Sequence, residues 1–321
     1  YILSNLNIQT VLLGVLVILI VYQLRNRFRY KLPPGPFGWP LIGNVEVMTA
    51  KFLHEIFVKY SKKYGPVFKV RLGPYVIVVL NDINSVTEAL VKRKADFANR
   101  PNIHSVQRFT EGGKDIVFTN YSPTWKLHRK IALKALRNYL SGDHLETVLH
   151  ASMDKCLPLM RKEAGPFDPE PFIDLMVFNI LNAVCFGRSL DLNDKYFQRF
   201  MELDKRVNDV IGKGFVEDML PEFVLKFWTS KKYKYTFKMI DELLDMMRNK
   251  IQEHIDEFDP DNIKDFTDAM LQAKREAELQ EDKEVISQLT DVHIRQTIFD
   301  IFGAGIDTSR VTLYFAVRYI A

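Results

Sequence analysis

The stretch IFDIFGAGIDTSRVTL, residues 298–313, decides the fold assignment. Within it, Gly303, Ala304 and Gly305 carry little or no side chain, so a flat cofactor or substrate could approach the helix backbone closely. Small residues also permit tight packing between helices, and this alternative stays open. A nucleotide-binding fingerprint is excluded, because GAGIDT lacks the third glycine of GxGxxG and no β-rich strand leads into it.

Two polar side chains in the same stretch are candidates for catalysis. Thr308 lies one helical turn after Ala304, so its hydroxyl can donate to the carbonyl of that residue and loosen the helix locally. Asp307 adds an adjacent carboxylate that can carry a proton. The pair predicts a proton-handling group in otherwise apolar surroundings.

A second pair of interest lies in SPTWKLHRKIALKAL, residues 122–136. Trp125 and Arg129 are four residues apart, so on a helix they project from one face. A guanidinium can donate two parallel hydrogen bonds to a carboxylate, and an indole N–H adds a neutral donor beside it. The alternative is a surface cation stacked on an indole. His128 is expected to be a neutral or exposed helix histidine without a role.

A basic stripe occupies another side of this predicted helix. It consists of Lys126, Lys130, Lys134 and Arg137, which fall within roughly a quarter-turn of each other. Solvated charge is the usual meaning of such a stripe, and docking of an acidic partner is the alternative.

The first 24 residues predict a membrane anchor. No charged side chain occurs from Tyr1 to Leu24, and about 20 apolar residues suffice to span a bilayer core. Basic residues at 25, 27, 29 and 31 follow, which places the rest of the chain in the cytosol. A cleaved signal peptide is the alternative. Residues 25–43 form a basic and proline-rich hinge, where Pro33, Pro34 and Pro36 exclude helix and central strand.

Residues 44–321 predict one domain that is mainly α-helical with a small β-sheet. Helical spacing runs from 52 to 64, a small hairpin covers 67–73 and 75–80 around Gly73-Pro74, and helical periodicity returns at 83–91. Beyond residue 141, nearly everything has the pattern of amphipathic helices.

The net charge of +4 is mild and gives no reason to expect nucleic acid as a partner. Cys156 and Cys185 are the only cysteines, which excludes a disulfide framework and predicts two buried thiols.

Three segments together resemble the cytochrome P450 family. FGAGIDTS (302–309) resembles the (A/G)Gx(D/E)T(T/S) signature of the I-helix, WKLHRK (125–130) resembles the C-helix, and KLPPGPFGWPLIGN (31–44) resembles the hinge after the signal anchor. The resemblance implies an incomplete cytochrome P450 fold, helices A to I, behind the transmembrane helix. Within the family, WKLHRK, TDAMLQAK (267–274) and IFDIFGAGIDT most resemble steroid 17α-hydroxylase/17,20-lyase and its near relatives among microsomal enzymes.

The resemblance also implies roles for individual residues. Thr308 and Asp307 inherit the delivery of protons during oxygen activation, and Ala304 and Gly305 border the oxygen pocket above a heme, iron protoporphyrin IX. Trp125 and Arg129 bind a heme propionate, as does Arg100 in DFANRP (96–101). The substrate-binding residues implied in this way are Ile116, Val117, Phe118 and Gly303.

The implied activity is insertion of one oxygen atom from O2 into an apolar substrate, a steroid by the closest likeness. NADPH electrons would arrive through cytochrome P450 reductase, with cytochrome b5 as an optional second donor, and the outer side of the C-helix would be the docking surface. The location implied is the endoplasmic reticulum membrane, single-pass, with the catalytic domain cytosolic.

The chain is expected to be an N-terminal fragment that ends inside the I-helix. The later family motifs, including the loop that carries the heme-ligating cysteine, do not follow, so no axial metal ligand is assigned and the fragment alone is expected to be inactive. A truncated, catalytically inactive membrane-anchored protein that binds a lipid or steroid is the alternative. A single-pass adaptor or receptor is a third class, but it would not require Arg100, Trp125, Arg129 and Thr308 together.

Overall fold

The computed structural model describes residues 31–39, 42–139, 144–211, 214–220, 222–280 and 283–320, with nine isolated residues before position 26. Most of the predicted membrane-spanning segment and of its basic flank therefore lies outside the described residues. Among the described ones, no helix combines the length and the apolar character needed to cross a membrane. The chain divides into two compact units, Tyr1–Ala98 and Asn99–Ala321. The predicted domain limits at 24 and 43 stay predictions.

The first unit is built around an antiparallel β-hairpin. Strands β1 (Val67–Leu72) and β2 (Tyr75–Leu80) pair in register from Val67↔Leu80 to Leu72↔Tyr75, which confirms the predicted hairpin. The helices of this unit are α1 (Val45–Met48), α2 (Leu53–Tyr64) and α3 (Ile83–Val86), the last continued by a π-helical turn at Thr87–Lys92. Its small core comprises Val47, Tyr60, Phe68 and Val70.

The described part of the proline-rich segment lies along β1. The Lys69 N–H donates to the Pro34 carbonyl at 2.9 Å, and Asn44 N–H donates to the Arg71 carbonyl at 2.7 Å. Gly43 has a positive φ of 88°, and a Cβ there would come within 2.3 Å of the Arg71 carbonyl oxygen. Glycine is required at this position for both reasons.

All regular secondary structure among the described residues of the second unit is helical. Its α-helices are α4 (His104–Phe109), α5 (Pro123–Tyr139), α6 (His144–Arg161), α7 (Glu170–Phe186), α8 (Lys195–Ile211), α9 (Glu222–Leu225), α10 (Lys231–Asp256), α11 (Phe266–Gln280), α12 (Lys283–Ser287) and α13 (Asp291–Ile320). A 3-10 turn at Val216–Met219 precedes α9. Helix α13 packs on α7, α6 also packs on α7, α11 packs on α5, and α10 packs on α8. The mainly α prediction with a minor sheet is confirmed.

Local sequence explains where α5 begins and where α7 ends. Pro123 is the first residue of α5, where its missing N–H costs nothing. The Ser122 hydroxyl caps this helix by accepting the Trp125 N–H at 3.0 Å. Helix α7 ends at Gly187, which adopts the left-handed conformation with φ of 60°. These caps place Trp125 at the third position of α5 and end α7 at Phe186.

Aromatic packing holds α13 in the core of this unit. Phe302 is 1% exposed and meets the rings of Phe178, Phe186 and Phe200 at centroid distances of 5.4, 5.7 and 5.4 Å. Edge-to-face arrangements of this kind add to the stabilisation that apolar burial provides. The position of the stretch 298–313 therefore depends on Phe302, which lies within it.

Replacing Phe302 with alanine is expected to lower the free energy of unfolding by about 3–5 kcal/mol, because it leaves a cavity among three rings. Urea denaturation followed by circular dichroism measures the change. Phe227→Ala is the matched control, since that side chain is 89% exposed and its removal should cost less than about 0.5 kcal/mol. Equal losses in both variants would contradict the described packing of α13.

Candidate functional site

The loop Ile116–Phe118, between α4 and α5, is where several predicted site residues meet. Asp115 shapes it: this fully buried carboxylate accepts the N–H groups of Val117 at 3.1 Å and Phe118 at 2.7 Å. Burial raises the pKa of Asp115, and the hydrogen bonds from Phe118 and Val117 oppose that rise. An aspartate that bonds the backbone two and three residues ahead is a common way to hold a turn.

Trp125 and Arg100 donate to the carbonyls of this same loop. The Trp125 indole Nε1–H donates to the Ile116 carbonyl at 2.9 Å, and the Arg100 Nε–H donates to the Val117 carbonyl at 2.9 Å. The structure therefore brings these two predicted propionate donors together with two predicted substrate residues. The partners in these two hydrogen bonds are backbone oxygens, and the propionate role stays a prediction.

Arg129 lies over the indole of Trp125. Its guanidinium carbon is 5.6 Å from the ring centroid, which is the stacked cation that the sequence allowed as the alternative. The side chain is exposed, and no carboxylate among the described residues forms an ion pair with it. Stacking and acid binding are compatible, because a guanidinium stacks through its face and donates through its edge.

The three small residues of α13 differ in what they face. A Cβ built on Gly303 meets nothing within 4 Å, and Ala304 is exposed, so this side of the helix is open. A Cβ on Gly305 would come within 2.8 Å of Leu181 Cδ1 of α7. Gly305 thus serves close packing of α13 on α7. The predicted contact of Gly305 with a cofactor stays a prediction, and the close approach of Leu181 does not support it.

Thr308 and Asp307 turn out to have different surroundings. The Thr308 hydroxyl donates to the Ala304 carbonyl at 2.9 Å, as predicted, and the side chain is exposed. Asp307 instead faces α8: its Oδ2 accepts from the Asn208 amide at 2.6 Å, and its Oδ1 pairs with Arg310 at 2.8 Å. The two predicted catalytic groups are neighbours in sequence, but their described contacts do not join them.

Arg310 connects Asp307 to two further carboxylates that sequence reasoning missed. The guanidinium lies 3.5 Å from Asp204 Oδ2 of α8 and 3.8 Å from Asp174 Oδ1 of α7, and it is 14% exposed. The pKa of Asp204 is raised to about 7, chiefly by burial and also by the nearby Asp307, while Arg310 opposes the rise. A sequence signal existed, since an arginine inside an apolar helix needs acidic partners.

Asp300 is a second residue that sequence reasoning missed. It lies one turn before Ala304 on α13, and its Oδ2 accepts the Ile116 N–H at 2.9 Å. Burial raises its pKa to about 7, and the Asp115 carboxylate raises it as well, while N–H groups of Ile116 and Val117 oppose the shift. This contact attaches the loop Ile116–Phe118 to the helix that carries the small residues.

His128 is fully buried, which excludes the exposed alternative and agrees with the neutral ring that the sequence also allowed. Its Nε2 lies 3.0 Å from the His293 carbonyl and also bonds the Thr297 hydroxyl. Burial lowers the pKa of His128 to about 4, with a smaller contribution from His293. The residue joins α5 to α13 as a neutral structural group.

The cysteines and the basic stripe complete the predicted features. Cys156 and Cys185 are free and buried, as predicted, and burial raises the pKa of both thiols. Within the described part of the chain, no group of three or more His, Cys, Asp or Glu could hold a metal ion.

In the basic stripe of α5, Lys134 forms an ion pair with Glu276 of α11, and the Lys126 ammonium lies 4.7 Å from the Tyr121 ring centroid. Its charge is thus partly offset.

Comparisons with known proteins agree on one family. The family model described as cytochrome P450 matches residues 33–321. The chain is 32% identical over 334 residues to cytochrome P450 1A1 of Chelon auratus, covering 98% of this chain and 63% of that protein. It is also 32% identical to cytochrome P450 1A1 of Sparus aurata, covering 96% of this chain and 62% of that protein. The chain thus spans somewhat less than two thirds of the length of these relatives.

Solved structures support the same fold. A zebrafish cytochrome P450 solved with progesterone superimposes with a TM-score of 0.72 at 24% identity, covering 84% of this chain and 61% of that chain. A zebrafish cytochrome P450 solved with abiraterone gives a TM-score of 0.68 at 24% identity, covering 83% of this chain and 58% of that one. At this identity the likeness concerns the fold.

The buried His128 predicts a specific pH dependence of stability. The pKa of His128 is about 4 in the folded chain and 6.5 ordinarily. Between these two pH values, the imidazole is therefore protonated in the unfolded chain and neutral in the folded chain. The free energy of unfolding should fall as the pH drops from 6.5 to 4, by up to about 1.4 kcal/mol per pH unit. Urea denaturation at several pH values should show a shallower slope for His128→Gln. The exposed His150→Gln should keep the original slope, and an unchanged slope in His128→Gln would contradict the assignment.

Proposed function

The chain belongs to the cytochrome P450 family, and on that basis we propose that its full-length parent is a heme-dependent monooxygenase. The reaction inserts one oxygen atom from O2 into an apolar substrate. The observation that carries the proposal is the open small-residue face of α13, formed by Gly303 and Ala304, with the Thr308 hydroxyl bonded one turn back. A flat cofactor can lie against such a face because Gly303 has no side chain and Ala304 has only a methyl group.

The described residues fit a heme with two acidic arms. Arg129 is exposed and has no carboxylate partner among the described residues, and Arg100 is an exposed guanidinium whose side chain contacts the loop Ile116–Phe118. Guanidinium groups bind carboxylates through short, charge-assisted hydrogen bonds. Cys156 and Cys185 do not fit the thiolate ligand, because both are buried thiols with raised pKa values. In this proposal the cysteine ligand belongs to the parent protein beyond residue 321.

When bound, the heme supplies the oxygen-activating chemistry, and this chain supplies orientation and protons. Ile116, Val117, Phe118 and Gly303 contact the substrate, whose position above α13 is then set by the loop. The Thr308 hydroxyl holds a proton or water at its Oγ1 beside the open face. Asp307 passes protons toward Thr308 after its side chain leaves Arg310 and Asn208, its described partners.

We further propose a steroid as the substrate, with 17α-hydroxylase-like chemistry. The support is the sequence likeness of WKLHRK, TDAMLQAK and IFDIFGAGIDT to steroid 17α-hydroxylase/17,20-lyase. The zebrafish protein solved with progesterone is itself a steroid complex, which is compatible with this choice. The same family motifs serve enzymes with other substrates, so the motifs support the reaction more strongly than the substrate.

The proposed setting is the cytosolic side of the endoplasmic reticulum membrane, with the segment 1–24 as a single-pass anchor. NADPH-cytochrome P450 reductase delivers electrons, and cytochrome b5 is the second donor considered. All four members of the basic stripe are exposed on α5, Lys134 while paired with Glu276, and in this proposal they face an acidic partner. Nucleic acid is not among the proposed partners.

A second candidate function is a truncated, inactive membrane-anchored protein that binds a lipid or steroid. The absence of a cysteine suited to iron among the residues of this chain favours it. Steroid binding by the 321-residue chain without heme, in a titration followed by tryptophan fluorescence, would support this candidate. A carbon-monoxide difference spectrum of the reduced parent protein would support the monooxygenase.

In the parent protein, Thr308→Ala is expected to uncouple electron use from product formation at least about tenfold, because the proton-holding hydroxyl is lost beside the open face. The ratio of product formed to NADPH consumed measures the effect. Thr312→Ala is the matched control: its hydroxyl makes the same bond, to the Thr308 carbonyl, one turn further from the small residues. Similar ratios in both variants would remove Thr308 from the mechanism.

Arg129→Ala is expected to weaken heme binding about tenfold or more, since a hydrogen bond between charged groups contributes about 1.5–3 kcal/mol. Titration of the heme-free parent with hemin, followed by absorbance, gives the affinity. Lys130→Ala removes a positive charge from the next residue and should change the affinity less than about threefold. If both variants bind hemin equally, Arg129 does not hold a propionate.

A further inference from the structure

The loop Ile116–Phe118 is held from two sides by different kinds of contact. On the carbonyl side, Trp125 donates to the Ile116 oxygen and Arg100 donates to the Val117 oxygen, both at 2.9 Å. On the amide side, Asp300 of α13 accepts the Ile116 N–H at 2.9 Å. Three consecutive peptide units of the loop are thus fixed through these three side chains, in addition to the turn that Asp115 holds within the loop.

These contacts respond differently to an acidic ligand. An indole has a single N–H, so Trp125 cannot donate fully to both the Ile116 carbonyl and a carboxylate. The guanidinium of Arg100 has five N–H groups and can keep the Val117 carbonyl while it binds an acid. The Asp300 carboxylate is an acceptor and cannot bind a heme propionate in the way that donors do. Under the proposed function, heme binding therefore weakens one carbonyl contact and leaves the amide contact intact.

Asp300 is also placed to set the register of the loop against α13. It precedes Gly303 by three residues and Ala304 by four, so all three lie along one side of the helix. Above pH 7 the carboxylate is ionised, and its hydrogen bond is then assisted by the charge, which makes it stronger than the neutral bond from Trp125. Burial of this group is costly, and the Ile116 N–H offsets part of that cost.

We infer that Asp300 is the positioning residue of the substrate-binding loop. Its carboxylate holds the Ile116 amide one helical turn from Ala304, whether or not Trp125 is engaged by a propionate. The separation between Val117, Phe118 and the open face of α13 then depends on Asp300, and with it the shape of substrate that fits. The role of the loop in substrate binding rests on the proposed function, whereas its anchoring to α13 is a property of this chain alone.

Hydrogen exchange measured by mass spectrometry on the heme-free chain tests the anchoring. In Asp300→Ala, the amides of residues 114–120 should exchange about tenfold faster, because one charge-assisted bond is lost. Asp300→Asn keeps an acceptor oxygen and should stay within about threefold of the parent chain. Asp291→Ala, in the exposed first turn of the same helix, should leave residues 114–120 unchanged.

Trp125→Phe provides the second measurement, which does not depend on the folding of Asp300→Ala. If Asp300 anchors the loop, removal of the indole N–H should speed exchange at residues 114–120 by less than about threefold. A tenfold increase in Trp125→Phe, or unchanged exchange in Asp300→Ala, would overturn the inference. Protection of α10 in each variant shows that the fold is retained.

The heme-loaded parent protein tests the consequence for substrate. Asp300→Ala should weaken substrate binding about tenfold, read from the substrate-induced change in heme absorbance, with heme content unchanged and with affinity restored in Asp300→Asn. Equal losses in the two variants would overturn the positioning role. If the parent binds no heme at all, the proposed function fails, and the exchange experiment still decides the anchoring.

Discussion

The structure of the helical unit depends on the requirement that charges on a buried helix find partners. Helix α13 packs on α7 through apolar residues such as Phe302, but the same helix carries Asp300, Asp307 and Arg310. Breaking a buried ion pair costs about 3–5 kcal/mol, because it leaves an uncompensated charge. Apart from the Asp307–Arg310 pair, which lies within α13, the partners for these groups come from outside this helix, and their recruitment fixes the neighbouring elements.

Two structural consequences follow from this requirement. Asp300 draws the loop Ile116–Phe118 onto α13 by accepting a backbone N–H. Arg310 draws together carboxylates of α7 and α8, including Asp174 and Asp204. The open face of α13 therefore lies between a polar contact on the loop side and an ion-pair cluster on the α8 side. The apolar face and its polar borders arise from the same helix.

The site also uses its donors for more than one purpose. Trp125 and Arg100 hold backbone carbonyls of the loop, although the family resemblance assigns them to an acidic cofactor. A single donor that serves both partners couples the cofactor region to the loop, because an indole can satisfy only one acceptor well. Gly305 shows the reverse case, since a residue assigned to the cofactor contacts Leu181 and permits helix packing.

The sequence by itself determined the features that depend on short separations along the chain. The β-hairpin around Gly73-Pro74, the Thr308 bond to Ala304 and the stacking of Arg129 on Trp125 all involve residues at most 13 positions apart, and periodicity or helical spacing predicts them. Only the tertiary structure decided the partners of Asp300, Asp307 and His128. The bond from Ile116 to Asp300 spans 184 positions, and no local propensity encodes which distant group will neutralise a buried charge.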